Sequence, residues 1–230
     1  MIDFHSHILP NIDDGSKSVS ESIELLRMLS QQGISAVAAT PHFTPTRHNP
    51  RQFLEESQLS FERLKSELEP SLPAIRLGAE VFYYRGIRHM QELPSLCLEG
   101  TRLLLLEMPT STWNDYAIRE ILELSCSGEI IVVLAHIERY LQYQKSEVWR
   151  RLLENDVLMQ VNASFFLNFG TKRKALKMLK NGEIHFLGSD CHSIKSRPPK
   201  MGEAIEVIRQ KFGDDFMEYF EAHSESFLEG

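Results

Sequence analysis

Nine His, Asp and Glu residues stand at or just beyond short apolar runs, in types and spacings that suit metal ions. His5 and His7 follow Ile2–Phe4, and His42 follows Ile34–Ala39 after Thr40-Pro41. Glu80 lies at the end of Ile75–Val81, and Glu107 follows Leu103–Leu106. His136 follows Ile130–Leu134, Asp190 and His192 follow Ile184–Leu187, and Asp14 sits in the loop Asn11-Ile-Asp-Asp-Gly15. Strand positions i and i+2 point to one side, so His5 and His7 suit a single ion. Taken singly, each residue reads as well as a satisfied strand end; Glu107, behind four leucines, could simply be salt-bridged. As a set, imidazoles and carboxylates without a cysteine cluster suit Mn, Fe or Zn rather than a structural cysteine–zinc site. Nine ligands exceed the needs of one ion and, with bridging carboxylates, suffice for two or three. Four carboxylates contribute about −4 and three divalent ions about +6, a local excess that would draw in an anion.

The elements that must position these residues are legible in outline. The runs near Ile2–Phe4, Ile34–Ala39, Ile75–Val81, Leu103–Leu106, Ile130–Leu134, Val157–Val161 and Ile184–Leu187 are continuous enough to be strands buried on both faces. Helical patterns alternate with them. Ser18 with Glu21 has capping-box spacing, and Gly33 fits the stop of that helix. Asn49-Pro50 suits an N-cap and first turn. Ile118–Leu122 follows Asp115 and stops near Gly128, Ser146 suits a cap for Val148–Leu153, and Thr171 opens Lys172–Lys180. Met201–Phe212 and Phe216–Phe220 follow. Seven strands alternating with helices predict a closed or nearly closed parallel barrel, with an open doubly wound sheet as the alternative. In a barrel all strand C-termini share one rim, so the nine residues would converge there. No glycine-rich phosphate loop follows any strand, which removes the usual dinucleotide and triphosphate readings.

Composition narrows the classes further. The chain has 230 residues, 42% hydrophobic and 25% charged, which fits one globular α/β domain over 1–230 and excludes wholesale disorder. No apolar run approaches the ~20 residues of a membrane helix, and the N-terminus carries no basic-then-apolar leader. Three cysteines argue against a disulfide scaffold and for a reducing, cytoplasmic setting. A net charge of −7 argues against nucleic-acid partners. His48, His89, His185 and His223 read as surface or satisfied residues, Trp113 and Trp149 as packing, and Lys172-Arg-Lys174 as a solvated helix start. Phe82-Tyr83-Tyr84 either shapes a pocket or packs. The Thr44–Arg51 segment reads as a solvated loop.

The motif series His5-Ser-His7, Asp13-Asp14-Gly15, Thr40-Pro41-His42, Gly78-Ala79-Glu80, Leu106-Glu107, Ala135-His136-Ile-Glu-Arg139-Tyr140 and Gly188-Ser189-Asp190-Cys-His192 resembles that of the PHP (polymerase and histidinol phosphatase) superfamily. It is most similar to the bacterial protein-tyrosine phosphatase branch associated with capsule and exopolysaccharide regulation. The resemblance implies a distorted (β/α)7 barrel of the TIM-like PHP fold with a trinuclear centre, usually manganese. By position, His5, His7, Glu80 and Asp190 would hold one ion. Glu80, Glu107 and His136 would hold a second, with Glu80 bridging, and Asp14, His42 and His192 a third. Arg139 and Arg197 match arginines that bind phosphate in the branch. Ile137 departs from the pattern, which usually has proline there.

The implied reaction is hydrolysis of phosphotyrosine by in-line displacement, with a metal-bridging hydroxide as nucleophile. The implied partner is an autophosphorylated bacterial tyrosine kinase. Asp190 and His192 are the candidates for general acid. Three alternatives stand beside this reading: a histidinol-phosphate-type small-molecule phosphatase, a non-catalytic metal-binding module, and a thiolate phosphatase built on the string Cys191-x5-Arg197. The last lacks glycine in its loop and sets Asp190 beside the thiol, which disfavours a thiolate.

Overall fold

Leu103–Leu106 and Val132–Leu134 are buried throughout, and runs of that kind require a sheet that is filled on one side and covered on the other. The computed structural model describes residues 1–228. Its strands are β1 (Ile2–Ser6), β2 (Ala36–Ala39), β3 (His42–Phe43), β4 (Ala74–Leu77), β5 (Glu80–Phe82), β6 (Leu103–Glu107), β7 (Ile131–Leu134), β8 (Leu158–Asn162) and β9 (Phe186–Gly188). All pairings between these strands are parallel, in the orders β1-β2-β4 and β3-β5-β6-β7-β8-β9.

One of the seven expected strands, Ile75–Val81, is interrupted, and Ile34–Ala39 is followed by a short strand that was not expected. Thr40-Pro41 separates β2 from β3, and Gly78-Ala79 separates β4 from β5. Proline has no N–H to give the ladder, which breaks the regular pattern. Hydrogen bonds still run across the breaks, from the Gly78 N–H to the Ala39 carbonyl (2.9 Å) and from the Glu80 N–H to the Pro41 carbonyl (3.0 Å). At the other edge, the Asp190 N–H donates to the His5 carbonyl (2.8 Å) and the His7 N–H to the Cys191 carbonyl (2.9 Å). These bonds join the end of β9 to β1. The result is a distorted seven-stranded barrel, as expected, rather than an open sheet.

Strand alternation divides the core. Phe4, Leu103, Leu105, Val133, Leu158 and Phe186 form the inner cluster, with Phe4 stacked on Phe186 at 3.9 Å between ring centroids. Leu104, Leu106, Val132 and Leu134 point outward to the helices. Those helices are α1 (Val19–Gln31), α2 (Pro50–Lys65), α3 (Asp115–Cys126), α4 (Ser146–Leu153), α5 (Ser164–Leu167), α6 (Lys172–Lys180), α7 (Met201–Phe212) and α8 (Asp214–Ser226).

The Ser18 and Asn49 side chains cap α1 and α2 as expected, accepting from the N–H groups of Glu21 and Gln52. One expectation at a helix start is corrected: Ser146 is the first helical residue of α4 rather than its cap. The Asn114 side chain caps α3, accepting from Ala117 N–H at 2.9 Å. Thr171 stands at the N-cap of α6 as expected, with its hydroxyl turned back to donate to the Phe165 carbonyl at 2.8 Å. Among the described residues no helix is long and apolar enough to cross a membrane.

Candidate metal centre

The nine residues gather at the C-terminal rim. β1 carries His5 inward, and His7 follows one step beyond its end. β3 and β5 begin with His42 and Glu80, which sit opposite one another in register. Glu107 ends β6, and His136 follows β7. The last strand leads into Asp190 and His192, and Asp14 reaches in from the loop after β1. Two of these residues, His136 (φ 33°) and Asp190 (φ 52°), hold the left-handed conformation that non-glycine residues rarely adopt. Backbone bonds maintain both. The His136 N–H donates to Gln160 Oε1 (2.6 Å) and the Asp190 N–H to the His5 carbonyl (2.8 Å). Such strain, held by its surroundings, gathers at functional sites.

Glu80 is the hub. Its Oε1 lies 2.8 Å from His136 Nε2. Its Oε2 lies 2.8 Å from His42 Nδ1, 3.2 Å from His5 Nε2 and 3.3 Å from His7 Nε2. Yet Glu80 Oε2 is buried and makes no hydrogen bond, and buried His192 Nε2 likewise has none. A buried carboxylate oxygen and a buried imidazole nitrogen without hydrogen-bond partners are what a cation would satisfy. Three sets of donor atoms lie mutually within 4.8 Å: His5, His7 and Asp190; His42, Glu80 and Glu107; and His7, Asp14, His42 and His192. The donor chemistry fits divalent ions that accept nitrogen and oxygen ligands.

The carboxylates and imidazoles shift one another: against burial, Glu80 and Asp190 raise His5, Asp13 raises His7 and Glu80 raises His42. Burial opposes ionisation of Glu80, but the imidazoles of His5, His136 and His42 outweigh it and hold the carboxyl well below its usual range. Burial, together with the charge of Glu80, raises Glu107 to about 7. Burial lowers His136 despite Glu80. Burial and the charges of His7 and Arg197 lower His192 to about 4. Neutral imidazole is the form that lends a lone pair to a metal.

Residues outside the sequence-based set orient these ligands. Asp13 Oδ2 lies 2.6 Å from His7 Nδ1 and accepts the His42 N–H (3.0 Å), while its Oδ1 accepts the Gly15 N–H (2.8 Å). So Asp13 faces away from the ligand cluster, and Asp14 is the neighbour that faces His42 and His192, at 3.4 Å from each. The Tyr140 hydroxyl lies 3.0 Å from His136 Nδ1 and accepts the Met108 N–H (3.1 Å). Gln160 Oε1 reaches His5 Nδ1 at 3.3 Å, and Gln160 Nε2 donates to Asn162 Oδ1. Bonds to the far ring nitrogen fix tautomer and ring orientation in metal sites. The signals for two of these were present in the sequence: Gln160 is a polar residue inside an apolar strand, and Tyr140 follows His136 by one helical turn. The close packing here also demands glycine. A Cβ on Gly188 would lie 2.6 Å from both Gln160 Nε2 and His5 Cβ.

Arg139 and Arg197, both half-exposed, converge on Asp190. Arg139 Nη2 lies 2.5 Å and Arg197 Nη2 2.7 Å from Asp190 Oδ2, and Asn162 Nδ2 donates to the same oxygen at 2.8 Å. Three donors on one oxygen anchor the Asp190 carboxylate beside the two arginines.

The remaining residues fall elsewhere. Buried Tyr83 donates to Glu120 Oε2 at 2.8 Å, on the α3 side, so it packs rather than lining the cluster. Cys191 is fully buried and its thiol is pushed far up, first by burial and then by Asp3, which removes the thiolate reading. Ile137 is buried and opens a 3-10 turn in the place of the usual proline.

A family model described as "Capsular polysaccharide synthesis, CpsB/CapC" matches residues 1–227. The tyrosine-protein phosphatase YwqE of Bacillus subtilis is 31% identical over 94% of this chain and 86% of its own length. The tyrosine-protein phosphatase CpsB of Streptococcus pneumoniae is 30% identical over 93% of this chain and 91% of its own. A solved structure, from work on YwqE and CpsB of these two organisms as metal-dependent tyrosine phosphatases, superposes with a TM-score of 0.84 at 28% identity. It covers 99% of this chain and 94% of that one.

Proposed function

The chain belongs to the CpsB/CapC family of capsular polysaccharide synthesis, a branch of the PHP superfamily, and from that premise we propose that it is a metal-dependent protein-tyrosine phosphatase acting in that process. The observation that carries the reading is Glu80 Oε2, buried among three imidazole nitrogens at 2.8–3.3 Å without a hydrogen bond. In this reading His5, His7, Glu80 and Asp190 hold one ion, Glu80, Glu107 and His136 a second, and Asp14, His42 and His192 a third. Manganese suits the mixed nitrogen and oxygen set, and Fe or Zn would be tolerated by it. Bound divalent ions would supply Lewis acidity and lower the pKa of water at the site.

The chain's own residues do the rest. Arg139 and Arg197 supply planar, bidentate contacts to phosphoryl oxygens, and their pairing with Asp190 holds both guanidinium groups toward the cluster until a phosphate replaces it. Gln160, Tyr140 and Asp13 hold the imidazoles so that nothing need reorganise as charge develops. A tyrosine phenolate leaves with a pKa near ~10, so the reaction tolerates a site without a dedicated acid. The proposed substrate is an autophosphorylated bacterial tyrosine kinase, which places the protein in the cytoplasm.

The test is chelation followed by Mn2+ readdition, read on a phosphotyrosyl peptide and on histidinol phosphate side by side. Loss and recovery of peptide turnover, with the peptide strongly preferred, is expected. Preference for histidinol phosphate would reassign the substrate, and metal saturation without turnover of any phosphomonoester would refute the activity.

A further inference from the structure

A groove of about 530 Å³ runs between α4 and α6 on the outer wall of the barrel. Its floor is apolar: Ile137, Leu141, Trp149, Met159 and Met178. A volume of this order suits specific ligands rather than stray solvent. One feature of the groove has no partner within the chain, and it is charge. α6 carries Lys172, Arg173, Lys174, Lys177 and Lys180 and not one carboxylate, on a chain whose net charge is −7. Lys174 and Lys177 border the groove and form no ion pair among the described residues. Arg150, on the opposite wall, is already matched by Glu147 and Glu154, and Glu183, also in the lining, accepts a hydrogen bond from Asn181.

An apolar floor beside a helix of unpaired cations describes the complement of an acidic peptide. Its carboxylates meet the lysines, and one large apolar side chain fills the floor. The groove and the rim share one turn of chain. Ile137 lines it and stands between His136 and Arg139 in the same turn, and the fully exposed Phe169 lies in the segment that enters α6. We infer that the α4–α6 groove docks an acidic, leucine- or phenylalanine-bearing segment of the phosphotyrosyl protein, outside the phosphoryl site. The inference rests on the reading that the substrate is a protein.

The experiment measures fluorescence anisotropy of a labelled, non-phosphorylated peptide, Glu-Glu-Leu-Glu-Glu-Phe, with the full chain. Its companion is turnover of p-nitrophenyl phosphate. Binding is expected, weakening about tenfold or more in the double variant K174E/K177E. Turnover of p-nitrophenyl phosphate is expected to stay unchanged in that variant. Absence of peptide binding, binding indifferent to K174E/K177E, or equal binding of the lysine-for-glutamate peptide overturns the docking site. So does capture by phosphatidylglycerol vesicles in place of the peptide. If p-nitrophenyl phosphate is not hydrolysed by the wild type, the phosphatase reading fails instead, and the anisotropy still decides the groove.

Discussion

Arg139 and Arg197 share one carboxylate oxygen, so each is held by a contact that a lysine could copy only as a point charge. Arg139→Lys keeps the charge and loses the planar fork. We expect it to lower kcat/KM for a phosphotyrosyl peptide by about a hundredfold while metal content by elemental analysis stays the same. Gln160 is the residue on which two ligands depend. Gln160→Leu keeps the volume but leaves the buried His136 N–H unpaired, at a cost of about 1–3 kcal/mol. It should also weaken Mn2+ binding about 10- to 100-fold in calorimetric titration. Unchanged affinity would assign Gln160 to packing alone. The ligand candidates were legible because ionisable residues at the ends of apolar strands stand out in a linear chain. Gln160, Tyr140 and Asp13 were harder to find, since each matters through a bond to a ring brought near by folding.

At the scale of elements, β8 and β9 are tied by more than their ladder. The His185 Nδ1 accepts the Met159 N–H at 3.0 Å. Burial, helped by the charge of His223, lowers His185 from its ordinary value of 6.5 to about 4. The unfolded chain therefore takes up the proton first as pH falls. The stability tied to neutral His185 is complete above pH ~6.5 and is lost toward pH ~4. In denaturant unfolding, wild type should lose stability relative to His185→Gln across that window. The upper limit is on the order of 3 kcal/mol. A constant gap would disprove the shift. Asp3, raised by burial to about 6, gives an opposite slope over nearly the same range, so only the difference between the two proteins isolates His185. The seven strands and most helices followed from apolar runs and caps. The break at Gly78-Ala79 did not, because Ile75–Val81 read as one run, nor did the short strand His42–Phe43, which is held by a ladder to neighbours distant in sequence.

For the molecule as a whole, carboxylates packed against one another are a cost that ligation would relieve. The cluster sets Asp14, Glu80, Glu107 and Asp190 within one rim, and burial raises Glu107 partly through repulsion by Glu80. Saturating Mn2+ at about a hundred times its Kd would add about 2.7 kcal/mol per independent site. For a chain of this size that corresponds to a rise in Tm of roughly 5–10 °C, measured by scanning calorimetry with and without chelator. An unchanged Tm would count against a metal centre. Cys191→Ser is expected to leave turnover intact, because the thiol is sealed in the core. Barrel closure was legible only as a count of strands, since the bonds that close it join residues at opposite ends of the chain.

That closure has a temporal consequence. The Asp190 N–H meets the His5 carbonyl, so the first and last strands complete the same rim. On a ribosome extending a protein at about 5–20 residues per second, roughly 10–40 seconds separate synthesis of His5 from that of Asp190. A nascent chain thus owns half a coordination shell long before it owns the other half. The full set of candidate ligands exists only once Asp190 and His192 have been added.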